Sequence, residues 1–183
     1  MEKPKVSMII VNWNGGAIFK TCLNSLSKLS YPNWELIVVD NGSVDGSQKL
    51  SPNFKLIQNK ENLGFAKANN QGFKVSSGKY ILLLNNDTKV NQNFLSLLVD
   101  KLEEDSTIGV IQPKIFIWDK LGYLDNVASY LTKTGFLQHI GYMEKDNKIY
   151  DNEKFTFSAK GACMLIRREL IEKAGLFDED FGS

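Results

Sequence analysis

Two hydrophobic periods alternate along the first hundred or so residues, and this alternation constrains the chain more than any other feature. Val6-Ser7-Met8-Ile9-Ile10-Val11 is a short, nearly continuous apolar run, the mark of a strand covered on both faces. Gly15-Gly16 breaks it, and Phe19, Cys22, Leu23 and Leu26 then recur at helical spacing with one apolar stripe. Leu36-Ile37-Val38-Val39 reads as a second buried strand and Phe54-Lys55-Leu56-Ile57 as a third. A helix from Gly64 to Val75 follows, then a strand Tyr80-Ile81-Leu82-Leu83-Leu84 and a helix carrying Phe94, Leu97, Leu98 and Leu102 on one side. Strands alternating with helices across short polar turns predict an α/β fold, with a mostly parallel central sheet and helices on both faces. Ligands of such sheets sit beyond the carboxyl ends of the strands. The turns after Val11, Val39, Ile57 and Leu84 therefore matter most, and all four are rich in Asn or Asp.

Past Gly109 the pattern loosens. Val110-Ile111 and Ile115-Phe116-Ile117 read as strands separated by Pro113, and residues 120–154 are mixed. Within them Glu144-Lys145-Asp146-Asn147-Lys148 reads as a solvated hairpin tip or mobile loop. Gly161-Ala162-Cys163-Met164-Leu165-Ile166 is a strand pattern, and Arg168 to Ala174 a short helix stopped by Gly175. The 183 residues fit one domain. The regular alternation occupies about residues 1–110, and the looser pattern about residues 111–183.

Composition excludes several classes. A net charge of +1 argues against a nucleic-acid partner, which would require concentrated positive charge. Cys22 and Cys163 are too few for a disulfide framework or a zinc site and read as buried thiols; His139 has no His or Cys neighbour and reads as structural. No apolar stretch is long enough to span a bilayer, and Met1-Glu2-Lys3-Pro4-Lys5 is no signal peptide. A cytoplasmic protein is expected, with peripheral contact at the inner face of a membrane left open. There is no G-x-G-x-x-G after the first strand, and the Gly72 to Gly78-Lys79 stretch has the wrong spacing and context for a P-loop.

Four turns carry chemistry. In Leu84-Asn85-Asn86-Asp87-Thr88 a buried strand delivers a carboxylate and amide oxygens to one point, either a turn or a hard oxygen site for Mg²⁺ or Mn²⁺. Such a cation takes most of its ligands from substrate phosphates and water, so a single Asp suffices. Asp40-Asn41-Gly42-Ser43 is either a bare turn or a carboxylate accepting from a base or ribose. Trp13, in Asn12-Trp13-Asn14, either stacks on a nucleobase or covers the core. Asn69 falls in an apolar stripe between Phe65 and Phe73, so its amide must find partners in a neighbouring turn or on a ligand; either choice ties this helix to the polar strand ends.

Together, these turns resemble those of the family 2 glycosyltransferases, inverting enzymes with the A-type fold. The matching residues are Val6 to Asn14, Val38-Val39-Asp40-Asn41-Gly42-Ser43-Val44-Asp45-Gly46-Ser47, Asn62-Leu63-Gly64-Phe65-Ala66-Lys67-Ala68-Asn69 and Leu84-Asn85-Asn86-Asp87. Gly161 to Arg168 and Gly175-Leu176-Phe177-Asp178-Glu179 match later segments, and the Asn-Asn-Asp turn is most similar to the rhamnosyltransferase-like branch. The resemblance implies transfer of a sugar, with inversion, from a nucleoside-diphosphate sugar to a saccharide or lipid-linked acceptor, in surface polysaccharide synthesis. It implies that Asn12, Trp13, Asn14 and Asp40 grip the nucleoside, that Asn62, Lys67 and Asn69 line the donor site, that Asn86 lies beside the sugar or ribose, and that Asp87 holds the metal. Only Arg167 and Arg168 are arginines, so Lys67 alone is offered to the diphosphate. The family's general base lies past the Gly-x-Phe-Asp-Glu segment, here beyond Ser183, with Asp178, Glu179 and Asp180 as substitutes. The alternative is a donor-binding fragment or inactive paralogue. A sugar nucleotidyltransferase is disfavoured because Asn12-Trp13-Asn14-Gly15-Gly16 contains no Arg.

Overall fold

The computed structural model describes residues 2–49, 54–152 and 155–180. The elements are β1 (Val6–Asn12), α1 (Gly16–Leu26), β2 (Trp34–Asp40), β3 (Lys55–Gln58), α2 (Phe65–Val75), β4 (Tyr80–Leu84) and α3 (Phe94–Glu104). Then come the short strands β5 (Val110–Ile111), β6 (Ile115–Phe116), β7 (Leu124–Asn126), β8 (Ala128–Leu131) and β9 (Leu137–Ile140), followed by β10 (Cys163–Arg167) and α4 (Arg168–Ala174). The apolar runs became strands and the periodic stripes helices. Phe181-Gly182-Ser183 and Lys154 lie outside the described residues.

The main sheet has six strands in the order β3-β2-β1-β4-β10-β5. β1, β2, β3 and β4 run parallel, and β10 runs antiparallel to both β4 and β5. Because side chains alternate along a strand, β1 splits its apolar run between two cores. Met8 and Ile10 face one layer with Phe19, Cys22 and Leu26 of α1 and Leu95, Val99 and Leu102 of α3. Ile9 faces the other with Ile37, Val39, Ile81 and Ala68 of α2. Close approach of α2 depends on Gly72: a Cβ there would lie 2.5 Å from Ile9 Cγ2.

Since β1 has β2 on one side and β4 on the other, the chain order reverses at β1. That reversal opens a crevice at the strand ends, the usual ligand position of such sheets. It brings Asn12, Asp40 and the turn after Leu84 to one edge.

The opposite edge takes both arginines. Arg167 pairs in register with Tyr80, the first residue of β4. Its guanidinium donates to the carbonyls of Ile108 (2.7 Å), Asp105 (3.0 Å) and Leu102 and to the Tyr80 hydroxyl. Arg168 donates to Gly78 O and Ser76 Oγ. Both guanidinium groups close loops at the end of the sheet away from the crevice, so neither serves a diphosphate there.

Two expectations need correction. The charged run 144–148 is not a hairpin tip. Leu124 N donates to Glu144 O (2.9 Å), Asp146 N donates to Gly122 O (2.8 Å), and Tyr123 bridges Lys145. Backbone pairing holds it, while Lys114 pairs with Asp146 (3.0 Å) and Asp151 (2.7 Å). The hairpin tip is instead residues 132–136, between β8 and β9. Asn69, in turn, does not reach the strand ends. It is buried, and its Nδ2 donates to Phe65 O (2.9 Å) one turn back in its own helix, which gives the amide a local partner.

Candidate functional site

The edge of the crevice is a network of side-chain amides and hydroxyls centred on Asn12. This residue is fully buried at the end of β1. Its Nδ2 lies within reach of Ser47 Oγ (2.8 Å), Asp40 Oδ1 (2.9 Å) and Ser43 Oγ (3.1 Å), so two protons serve three acceptors. Its Oδ1 accepts from Asn86 Nδ2 at 3.1 Å. Asp40 is equally buried, with Oδ2 accepting from Ser43 N (3.0 Å). Neither residue presents a polar atom to solvent; both fix the turns from beneath.

Next along the chain, Trp13 is 56% exposed at the rim. Asn14 follows with φ +50°, a left-handed conformation that Asn tolerates better than most residues. It clasps the neighbouring turn: Asn14 Oδ1 accepts from Val44 N and Asn14 N donates to Ser43 Oγ, both at 2.9 Å. Asp45 completes this clasp by accepting from Gly16 N (2.9 Å) and from the Ser47 hydroxyl and amide. Those Ser47 bonds hold its carboxyl below the usual range.

A second amide chain joins the turn after β2 to the start of α2. Asn41 Nδ2 donates to Asn62 Oδ1 (3.1 Å) and Gly64 O (3.3 Å), and Asn41 Oδ1 accepts from Asn59 (2.9 Å). Asn59 and Gln71 exchange bonds of 2.8 and 3.0 Å. Gln71 and Asn62, rather than Asn69, anchor α2 to the strand ends. Lys67 is exposed on the first turn of α2 and makes no ion pair with another described residue.

The turn after β4 is built differently. Asn85 N donates to Ala162 O (2.9 Å), which attaches the turn to the residue before β10. Beneath it the Cys22 thiol lies 3.8 Å from Asn85 O and 3.7 Å from Thr88 Oγ1. Burial pushes that thiol up to about 11 and Cys163 up to about 12, so neither is a nucleophile at neutral pH. Both are free and buried, as expected. Asp87 is exposed, and its carboxylate makes no hydrogen bond or ion pair with another described residue.

No group of three or more His, Cys, Asp or Glu side chains converges among the described residues. The donor set is therefore one free carboxylate with flanking amides. That set fits a hard divalent cation whose other ligands are phosphates and water, and does not fit a closed structural metal site. His139 is structural, with Nδ1 2.8 Å from Asn126 Nδ2 and 2.9 Å from Ser129 Oγ. An apolar cavity of about 1050 Å³ lies elsewhere, against α2, β4, β10 and α4, lined by Phe73, Leu83, Met164, Ile166 and Phe177 among others; Asn12, Asp40 and Asp87 do not line it.

Residues 7–175 match glycosyl transferase family 2. The chain belongs to this family. Among relatives, glycosyltransferase GlyG of Streptococcus pneumoniae is 26% identical over 178 residues, covering 92% of this chain and 58% of GlyG. Glycosyltransferase GlyA of the same organism is 28% identical over 191 residues, covering 96% of this chain and 25% of its own length. A solved mannosyltransferase of Pyrobaculum calidifontis, in complex with GDP-Man and Mn²⁺, superposes with a TM-score of 0.68 at 19% identity, covering 98% of this chain and 49% of that one. Residues 1–349 of S. aureus TarS in complex with UDP superpose with a TM-score of 0.70 at 20% identity, covering 98% and 52%. The chain thus spans about half the length of these solved proteins and shares the A-type family fold. Among the described residues no helix is long and apolar enough to cross a membrane.

Asn41, Ser43, Ser47, Asn59 and Gln71 also fix these turns, although no single one of them stands out in the sequence. The density of Asn and Ser in the turns was the available signal; their pairing across turns emerges only from the fold.

Proposed function

We propose that this chain binds a nucleoside-diphosphate sugar in the crevice and transfers the sugar, with inversion, to a saccharide or lipid-linked acceptor in surface polysaccharide assembly. The observation that carries the reading is Asp87: an exposed carboxylate without a partner among the described residues, at the topological switch of a sheet whose other strand-end turns are bonded together. Family membership and the GDP-Man–Mn²⁺ and UDP complexes of the two structural neighbours support it.

In this reading Trp13 offers its exposed face to the base, which bare stacking recognises without reading an edge. Asn62 and Asn14, both exposed, line the ribose and donor side, while Asn12 and Asp40 hold the nucleoside turns from below. Asn69 supports α2 from within. Asp87 and the Asn86 amide would hold Mg²⁺ or Mn²⁺, which when bound supplies positive charge to a departing diphosphate. Lys67 adds a cation at the start of α2. In this reading about residues 1–110 are the nucleotide-sugar half and about residues 111–183 the acceptor-side half.

A second reading, donor binding without transfer, has one observation in its favour. Asp178 accepts from Asp180 N (3.0 Å) and Glu179 accepts from Asn70 Nδ2 (3.0 Å), so two of the three substitute carboxylates are already engaged. Incubation with a panel of nucleotide sugars and Mn²⁺, followed by chromatography for released nucleoside diphosphate and NMR of the product anomer, separates the two. Release with inverted product supports transfer, and binding without release supports the second reading. A retained anomer refutes inversion, and absence of any nucleotide binding refutes both.

A further inference from the structure

The network has a direction. Both oxygens of Asp40 accept, Oδ2 from Ser43 N and Oδ1 from Asn12, so the NH₂ end of the Asn12 amide is the one that faces the carboxyl group. The bond from Ser43 N holds that group in place. With its NH₂ turned inward, Asn12 can present only Oδ1 toward the turn after β4. Asn86 must answer with its own NH₂, at 3.1 Å. Its remaining atom, Oδ1, is then left without a partner among the described residues, in a half-exposed side chain next to Asp87. An isolated Asn in a strand-end turn could present either end of its amide; here the choice is made two residues away in space, inside the core.

Resting on the donor-binding reading above, we propose that Asp40 and Asn12 are positioning residues that lock the Asn86 amide with its oxygen outward, so that the turn presents Asn86 Oδ1 and the Asp87 carboxylate together to a divalent cation. Asn86→Asn12 is the one hydrogen bond between the side chains of this turn and those of the nucleoside turns among the described residues. It therefore also couples the two halves of the site: fixing Asn86 on a cation stiffens Asn12 and, through Ser43 and Asp40, the turn that carries Trp13 and Asn14. Gly15 guards the link. A Cβ at Gly15 would lie 2.4 Å from Asn12 Oδ1, 2.7 Å from Asn86 Nδ2 and 2.7 Å from Phe19 Cβ, so a methyl group there would press on both amides and on α1 without deleting any ligating atom, and the melting temperature reads the part that falls on α1.

The test is calorimetry of UDP, GDP and dTDP with wild type, Asn86→Ala, Gly15→Ala and the double variant, each with EDTA and with saturating Mn²⁺, alongside melting temperatures. The quantity read is the factor by which Mn²⁺ tightens nucleotide binding. Asn86→Ala and Gly15→Ala are each expected to lower that factor about tenfold, within the usual range of coupling between sites. The double variant should be no worse than the more damaged single variant, because both act through one bond. A merely structural role would lower the melting temperature and metal-free affinity and leave the factor alone, which overturns the proposal. So does loss of the factor in Asn86→Ala but not in folded Gly15→Ala, which would make Asn86 a simple ligand needing no relay. Wild type that binds no nucleotide under either condition defeats the donor-binding reading itself and this inference with it.

Discussion

The turns that end β2 and β4 look alike in sequence, Asp40-Asn41-Gly42-Ser43 and Asn85-Asn86-Asp87-Thr88, yet they use their carboxylates in opposite ways. Asp40 is fully buried and bonded to Asn12 and Ser43, whereas Asp87 is exposed and free of partners among the described residues. The difference follows from place. β2 is flanked by β1 and β3, and the turn after it is covered by the amide chain of Asn59, Asn62 and Gln71. β4 ends beside the antiparallel β10, and its turn is fastened by Asn85 N to Ala162 O, Thr88 Oγ1 to Asn85 O and Asn86 Nδ2 to Asn12 Oδ1, none of which engages the Asp87 carboxylate. The same residue type stabilises the fold in one turn and is available for chemistry in the other.

The largest expected effect breaks the buried side of this comparison. Asp40→Ala leaves the Ser43 N–H without its acceptor in a buried site and takes from the Asn12 amide one of its three acceptors, a loss of about 2 kcal/mol by the cost of orphaning a buried polar group. Chemical denaturation should show the midpoint falling with unchanged slope; wild-type stability would remove Asp40 from the framework. On the exposed side, Trp13→Ala should weaken nucleoside diphosphate binding about tenfold, the scale of one lost base stack, and leave the melting temperature in place. Unchanged affinity by calorimetry would assign Trp13 to the surface alone.

A smaller effect concerns a third carboxylate, Glu35, at the edge away from the crevice. Burial opposes its ionisation, but bonds from Lys55, the Ser7 hydroxyl and Ser77 outweigh burial and hold its carboxyl far below the usual range. A depressed folded value means that its stabilisation is present above the unfolded value, about 4.3, and is lost as pH falls below it. Acid titration of stability should show this loss in wild type and a shallower one in Glu35→Gln. Equal profiles would show that these bonds carry no net stability.

The fold was largely legible in the sequence because its signals are local. Val6–Val11, Leu36–Val39 and Tyr80–Leu84 are apolar runs too short for helices, and the stripe from Phe19 to Leu26 has a helical period. The 144–148 run was misread because charge reports solvent exposure and says nothing about backbone pairing, which Gly122 and Leu124 supply from a distant stretch. At the site, the four polar turns and Asp87 could be picked out, but the partners of their amides could not. Asn12 and Asn69 carry the same side chain: one became the hub of three turns and the other turned back on its own helix. Only the crossing of β1 between β2 and β4 decides which amide meets which.

The most direct test of the account compares wild type with Asp87→Ala in nucleoside diphosphate calorimetry with and without Mn²⁺, with melting curves in parallel. The account predicts that Mn²⁺ tightens binding to wild type and has no effect on Asp87→Ala. The variant's stability should stay within about 0.5 kcal/mol, as for a surface change that removes no contact. Mn²⁺-dependent binding that survives in Asp87→Ala, or a loss of stability like that expected of Asp40→Ala, would contradict it.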